Sequence, residues 1–263
     1  MHIRHSAIKL LAKNLALITT ILLATAAALR AQTTTSMLLT GVGDGNTFGD
    51  VYVDPYTATV GGTANIAVIC DDWSDDSNLG DSWTATVINA ATVSNSADGT
   101  PLFGNNQGLY NGVAWLSAQL LNPANEKNGT AQTEISFAIW QLTYSGPDTC
   151  SSGTPGAGCD PLAYMGNYIS TSSTEYLATV NYLDQAESST IANNNSLSDG
   201  WDILTPDPKG KGEDQEFMMF VPEPSQYGTL GADLALFAVA VLVLRRRGFL
   251  ASRLARTERA LHS

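Results

Sequence analysis

The chain has 263 residues, with 25 acidic against 13 basic side chains and a formal net charge of −12. The bases crowd the two ends: between Gln32 and Pro224 only Lys127, Lys209 and Lys211 face 23 acids, and arginine and histidine are absent. That balance repels nucleic acid and anionic lipid, and it excludes serine–histidine catalysis, histidine-ligated zinc and phosphate clamping by arginine from this stretch.

In chain order, Met1 to Lys13 carries Arg4, Lys9 and Lys13, and apolar, alanine-rich Leu15 to Leu29 follows. A basic head, a short apolar stretch and a break near Ala31 predict a secretory signal peptide over 1–31. Gln32 to Asp50 is polar and glycine-rich, with Asp44-Gly45-Asn46 as a turn. Val51–Val53, Tyr56–Val60 and Ala64–Cys70 read as strands, the last two forming a hairpin about Gly61-Gly62. Ser82 to Ala90 reads as another strand, with Trp83, Ala85 and Val87 on one face and Thr84, Thr86 and Ile88 on the other.

The period then changes. Leu109, Val113, Leu116, Leu120 and Leu121 predict a helix over 109–121, ended by Asn122-Pro123. Ile135, Ala138, Ile139, Trp140 and Leu142 predict a second over 133–144. Tyr176, Leu177, Val180, Leu183 and Ala186 predict a third over 173–192. Trp201–Leu204 and Glu216–Val221 read as closing strands. Strands, helices and strands again predict an α+β domain over 32–221, an antiparallel, sandwich-like sheet with a helical middle section.

The candidate ligand residues are Asp71, Asp72, Trp73, Asp75, Asp76 and Asp81, in the acidic stretch between two strands. Clustered carboxylates fit a solvated loop, or a Ca2+ site because hard cations take oxygen ligands. With Trp73 and Trp83 they also fit glycan binding or hydrolysis. The EF-hand order is broken, since Gly80 precedes Asp81. Trp73 is the candidate surface contact, whereas Trp115 and Trp140 lie on apolar stripes and are expected in the core. Cys150 and Cys159 flank a Ser/Gly/Pro loop, which predicts a disulfide in an exported chain. Cys70 follows the apolar run Ile66–Ile69 and is expected as a buried thiol.

Beyond the body, Val221-Pro222-Glu223-Pro224-Ser225 leads into Tyr227–Leu244, 18 residues with one charge, Asp233, and then Arg245-Arg246-Arg247. As a helix that run spans about 27 Å, enough to cross a bilayer core, with the arginines and the basic tail 249–263 held on the cytoplasmic side. The three parts in this order resemble the PEP-CTERM sorting signal of Gram-negative bacteria, here 222–248. The resemblance implies export through the Sec translocon, an inner-membrane intermediate and cleavage near Pro-Glu-Pro by an exosortase. It further implies delivery to the cell surface or the extracellular matrix of an exopolysaccharide-rich biofilm, with polysaccharide as a partner.

A second set of landmarks lies in the body: Cys70-Asp71-Asp72-Trp73, Gly80-Asp81-Ser82-Trp83, Ala114-Trp115-Leu116, Phe137-Ala138-Ile139-Trp140, Asp202-Ile203-Leu204-Thr205-Pro206 and Gln215-Glu216-Phe217. They look like the body of exported PEP-CTERM proteins of Acidobacteria. Cys70 and Ala138-Ile139-Trp140 are also similar to landmarks of thioester domains of surface adhesins, where a glutamine two residues before the alanine bonds to the cysteine. Here that position is Ser136, with Gln132 and Gln141 as neighbours in sequence. Together these readings predict a non-enzymatic, structural or adhesive surface protein. The alternative is a carbohydrate-binding module or glycan hydrolase that uses the acidic loop 71–81.

Overall fold

The computed structural model describes residues 33–95, 99–146, 150, 155–156, 158–207 and 214–221. The predicted signal peptide, Pro222 to Ser225, the apolar run 227–244, Arg245 to Arg247 and the tail lie outside the described residues. Among those described, no helix is long and apolar enough to cross a membrane. The body forms one unit ending at Phe220, and Val221 opens a second.

Eight strands and five α-helices build the described body. The strands are β1 (Thr33–Val42), β2 (Thr47–Phe48), β3 (Val51–Tyr52), β4 (Tyr56–Val60), β5 (Thr63–Cys70), β6 (Ser82–Asn89), β7 (Trp201–Pro206) and β8 (Phe217–Phe220). The helices are α1 (Gln107–Leu120), α2 (Gly129–Thr143), α3 (Pro161–Gly166), α4 (Thr174–Glu187) and α5 (Ser189–Ala192). Six strands close into an antiparallel barrel in the order β1-β4-β5-β8-β7-β6, while β2 and β3 pair separately. The expected sandwich-like sheet is therefore corrected to a barrel.

The strand that closes it is β1, in a stretch whose glycine and polar content reads as loop. β1 pairs with β4 on one side and β6 on the other, and its alternation buries Met37 and Leu39. The β4–β5 hairpin turns at Gly61 and Gly62, both at positive φ (57° and 82°), as a two-residue turn that follows the strand twist requires.

Two apolar clusters follow from the pleat. Inside the barrel are Met37, Leu39, Tyr56, Ala58, Val60, Val68, Cys70, Ala85, Leu204 and Phe217. Residues one position away, Ile69, Ile88, Ile203 and Met218, point outward into a second cluster with the helices. Those helices are inserted between β6 and β7, so Thr86 and Ile88, the outward face of β6, are also buried.

Each of the four longer helices starts on a side-chain cap: Asn106, Asn128, Asp160 and Ser173 accept from the backbone of Leu109, Ala131, Ala163 and Tyr176. Gly112 of α1 lets two helices approach, for a Cβ there would lie 2.9 Å from Leu142 Cδ2 and 3.1 Å from the Ala186 carbonyl. The expected helix over 173–192 breaks at Ser188, whose backbone is extended (ψ 146°). Its hydroxyl donates to the Gln185 carbonyl at 2.6 Å, a local bond that competes with helix continuation.

Candidate functional site

At one end of the barrel, β4 begins, β5 ends and β8 begins. A cavity of about 660 Å3 opens there, within the size range of small-molecule sites. Its lining includes Tyr56 and Cys70 of the barrel, Trp140 of α2, Trp73 and Gln215, with Tyr52, Asp75, Asp76 and Leu79 around the mouth. Pro155 and Gly156, from the loop between the half-cystines, supply part of the wall.

The acidic stretch is divided by this geometry. Asp71 and Asp72 are buried with no exposed surface, which corrects the expectation of one solvated loop. Asp72 and Asp75 line the cavity with exposed Asp76, but Asp71 and Asp81 do not. Asp81 instead accepts from the Asn78 backbone at 2.7 Å, capping the turn before β6. No group of three or more carboxylate, thiol or imidazole side chains among the described residues is placed to hold a metal ion.

Trp73 is corrected as well, because the candidate surface contact is 4% exposed. Its indole N–H donates to the Cys159 carbonyl. Its ring sits 5.1 Å from Trp140, 5.4 Å from Tyr164 and 5.7 Å from Phe137. An indole so enclosed is a core anchor, not a stacking platform. Trp140 is buried as expected, and its N–H donates to the Cys70 carbonyl at 3.1 Å. Trp115 is partly buried and packs against the same cluster. Cys150 and Cys159 form the disulfide.

Cys70 is a free, buried cysteine. Its thiol donates to the Asp72 carbonyl at 3.2 Å, and burial, followed by the Asp72 and Asp71 charges, pushes its pKa up. A thiol kept protonated is a weak nucleophile. The residue at the glutamine position of the resemblance, Ser136, donates to the Val53 carbonyl. Gln132 accepts from Asn46 and donates to the Glu126 carbonyl, and Gln141 bridges Asp160 and the Leu162 N–H. These bonds hold all three in other networks.

The carboxamide beside Cys70 belongs to Gln215. It donates at 2.8 Å to the carbonyls of both Asp72 and Asp75, so Cys70 and Gln215 converge on one acceptor. Strand register explains this. Cys70 pairs with Phe217, and a residue two places before Phe217 returns to the same face as a diagonal neighbour of Cys70. The sequence signal was this alternation extended beyond β8 into Gln215.

Glu216, next to it, faces the other way and is fully buried. It accepts from Tyr110 Oη at 2.6 Å, from the Leu102 backbone at 2.7 Å and from Thr205 Oγ1. Beside it, Asp71 donates its backbone N–H to the Glu216 carbonyl at 3.3 Å, while both its carboxyl oxygens are buried without a hydrogen-bond partner from another described residue. Burial, then the Glu216 and Asp72 charges, raises Asp71 well above the ordinary carboxylate range. Burial is also the largest effect on Asp72, pushed up to about 7. Burial therefore favours the protonated forms of Asp71 and Asp72 at the barrel end, whereas the three donors around Glu216 favour a carboxylate there.

No family model matches the sequence, and no curated protein does. Solved structures that share similarity with it include the following two. One is the N-terminal domain of the Streptococcus pyogenes pilus tip adhesin Cpa, at 13% identity and a TM-score of 0.38, covering 73% of this chain and 95% of that one. The other is the N-terminal thioester domain of fibronectin-binding protein SfbI from Streptococcus pyogenes, at 13% identity and a TM-score of 0.40, with the same coverage of each chain.

Proposed function

We propose that this is a non-enzymatic protein of the cell surface or extracellular matrix, exported by the Sec route and sorted by an exosortase acting at Pro222-Glu223-Pro224. The observation that carries export is the Cys150–Cys159 disulfide, because such bonds persist in oxidising compartments and are rare in the cytosol. The acidic body and the three-part order of its last 43 residues fit the same route. Adhesion is assigned to the barrel-end cavity, with exopolysaccharide as the partner and exposed Tyr52 (39% exposed) at the mouth as the contact that Trp73 cannot provide. Protease digestion of intact cells tests this: a body cut from outside is expected, and one protected until the cells are lysed would refute it.

The Cys70–Gln215 convergence favours a second reading, covalent attachment. Attack of the Cys70 sulfur on the Gln215 side-chain carbonyl would form a C–S bond and release the nitrogen as ammonia, carrying the thiol proton with it. The folded chain then loses about 17 Da and its one titratable thiol. A chain of unshifted mass with a thiol that reacts after unfolding excludes this reading and leaves the first intact. Glycan hydrolysis remains the enzymatic alternative, with Asp72 as the acid because its raised pKa suits that role. Turnover lost in Asp72→Asn and Asp76→Asn would establish it against the non-enzymatic reading.

A further inference from the structure

The contact between β5 and β8 is the narrowest in the barrel. Three residue pairs join them: Val68 with Met219, Ile69 with Met218 and Cys70 with Phe217. Immediately beyond this ladder lie Asp71 and Glu216, two fully buried carboxyl groups on opposite strands. Glu216 is surrounded by donors from three directions, which stabilise it as the charged partner. Asp71 has none from any other described residue for either oxygen, and an ionised carboxylate buried without a partner is among the costliest states in a protein. Among the described residues no basic side chain is placed to serve it. The one lysine among the described residues is Lys127, which is exposed, and no arginine or histidine is described.

We propose that the β5–β8 seam closes around a proton held on Asp71, and that loss of this proton opens the barrel between the two strands. Among the described residues, the titratable groups facing Asp71 are Glu216 of the segment entering β8, Asp72 and Cys70 of its own segment, and Tyr110 of α1. All are acids, so none can take over the proton's role by supplying positive charge. Thr143 Oγ1 of α2 donates to the Asp71 backbone carbonyl at 2.6 Å, which fixes the residue's position without reaching its carboxyl group. Ionisation would place a second negative charge beside Glu216, and only three ladder pairs resist separation. The Asp71 N–H bond to Glu216 and the Gln215 bonds to Asp72 and Asp75 would be released with the seam, uncovering Cys70 and the cavity floor.

Amide hydrogen exchange on the full-length protein in detergent tests the device. Exchange at Ile69, Asp71 and Met218 is compared with exchange in the β1–β4 ladder of the same sample. As pH rises above the ordinary carboxylate range, the seam should open relative to β1–β4 by up to about tenfold per pH unit for as long as the folded state keeps the Asp71 proton, since that proton is lost on opening. Asp71→Asn should reduce that excess by one proton, and infrared spectra taken above the ordinary carboxylate range should show a protonated-carboxyl stretch that is weaker in Asp71→Asn than in the wild type. A wild-type seam that exchanges in constant proportion to β1–β4 across that rise in pH would overturn the proposal, whether or not the variant folds. So would a stretch absent from the wild type or unchanged in Asp71→Asn.

Discussion

Asp71 and Asp72 come from the same short acidic run as Asp75, Asp76 and Asp81, yet the fold treats them oppositely. The first two continue β5 into the barrel end and have no exposed surface, whereas Asp75 and Asp81 are half-buried and Asp76 is exposed. Composition is the same in both halves, so the difference comes from strand register and from what lies across the seam. A carboxyl group within two residues of a strand end inherits that strand's burial, and burial decides its proton and its energetic weight. Trp73 and Tyr52 repeat the contrast among the aromatics of the cavity: one is locked beneath the disulfide loop, the other stands at the mouth.

The largest expected effect tests the aromatic pair. Trp73→Ala removes a ring packed against Trp140, Tyr164 and Phe137 and should cost about 4 kcal/mol in chemical denaturation. Tyr52→Ala should cost less than about 0.5 kcal/mol. Equal losses would erase the distinction between anchor and mouth. Next comes Glu216→Gln, which puts an amide N–H2 among three donors and should cost about 2–3 kcal/mol, measured the same way. Replacing Cys150 and Cys159 by serine should follow at about 2.5 kcal/mol, because the bridged loop is short (a sequence separation of 9).

Asp72 sharpens the comparison through pH. Its folded pKa is raised from 3.8 to about 7, so the folded state holds a proton that the unfolded chain releases. The stabilisation is complete below about pH 4 and is lost as pH rises to about 7. Asp72→Asn should make the loss of stability with rising pH shallower by one proton in denaturation midpoints measured across the range, leaving the part that Asp71, raised as well, contributes. The smallest effect belongs to the exposed half: Asp76→Asn should leave stability within about 0.5 kcal/mol at any of these pH values.

Much of the framework was legible. The β4–β5 hairpin announced itself through Gly61-Gly62 between alternating runs, and Leu109 to Leu121 and Thr133 to Tyr144 carried helical stripes that the structure places at Gln107–Leu120 and Gly129–Thr143. The β-strand, helix, β-strand order also stands. The barrel was not legible because β1 begins with Thr33-Thr34-Thr35-Ser36, whose exposed polar side chains hide a strand held by pairing on both edges. α3 was hidden for another reason: it is a six-residue helix whose start depends on the Asp160 cap and Pro161 and not on an apolar period.

The site itself was half legible. Cys70 and the acidic stretch were visible, and so was the disulfide, from a flexible loop between two cysteines. Which acids are buried, and which glutamine stands beside Cys70, depended on the pairing of β5 with β8, strands whose partners lie about 150 residues apart in the chain. Local pattern carries no information about a contact at that distance. Gln132, Gln141 and Ser136 are nearer in sequence to the Ala-Ile-Trp landmark, but helix geometry points them into other networks.

Export with sorting is the central claim, and the intact mass of the protein from its own cells, taken without reduction, tests it most directly. The account predicts a chain trimmed near Gln32 and near Pro224 that retains the Cys150–Cys159 bond. A full-length mass with Cys150 and Cys159 both reduced would contradict it.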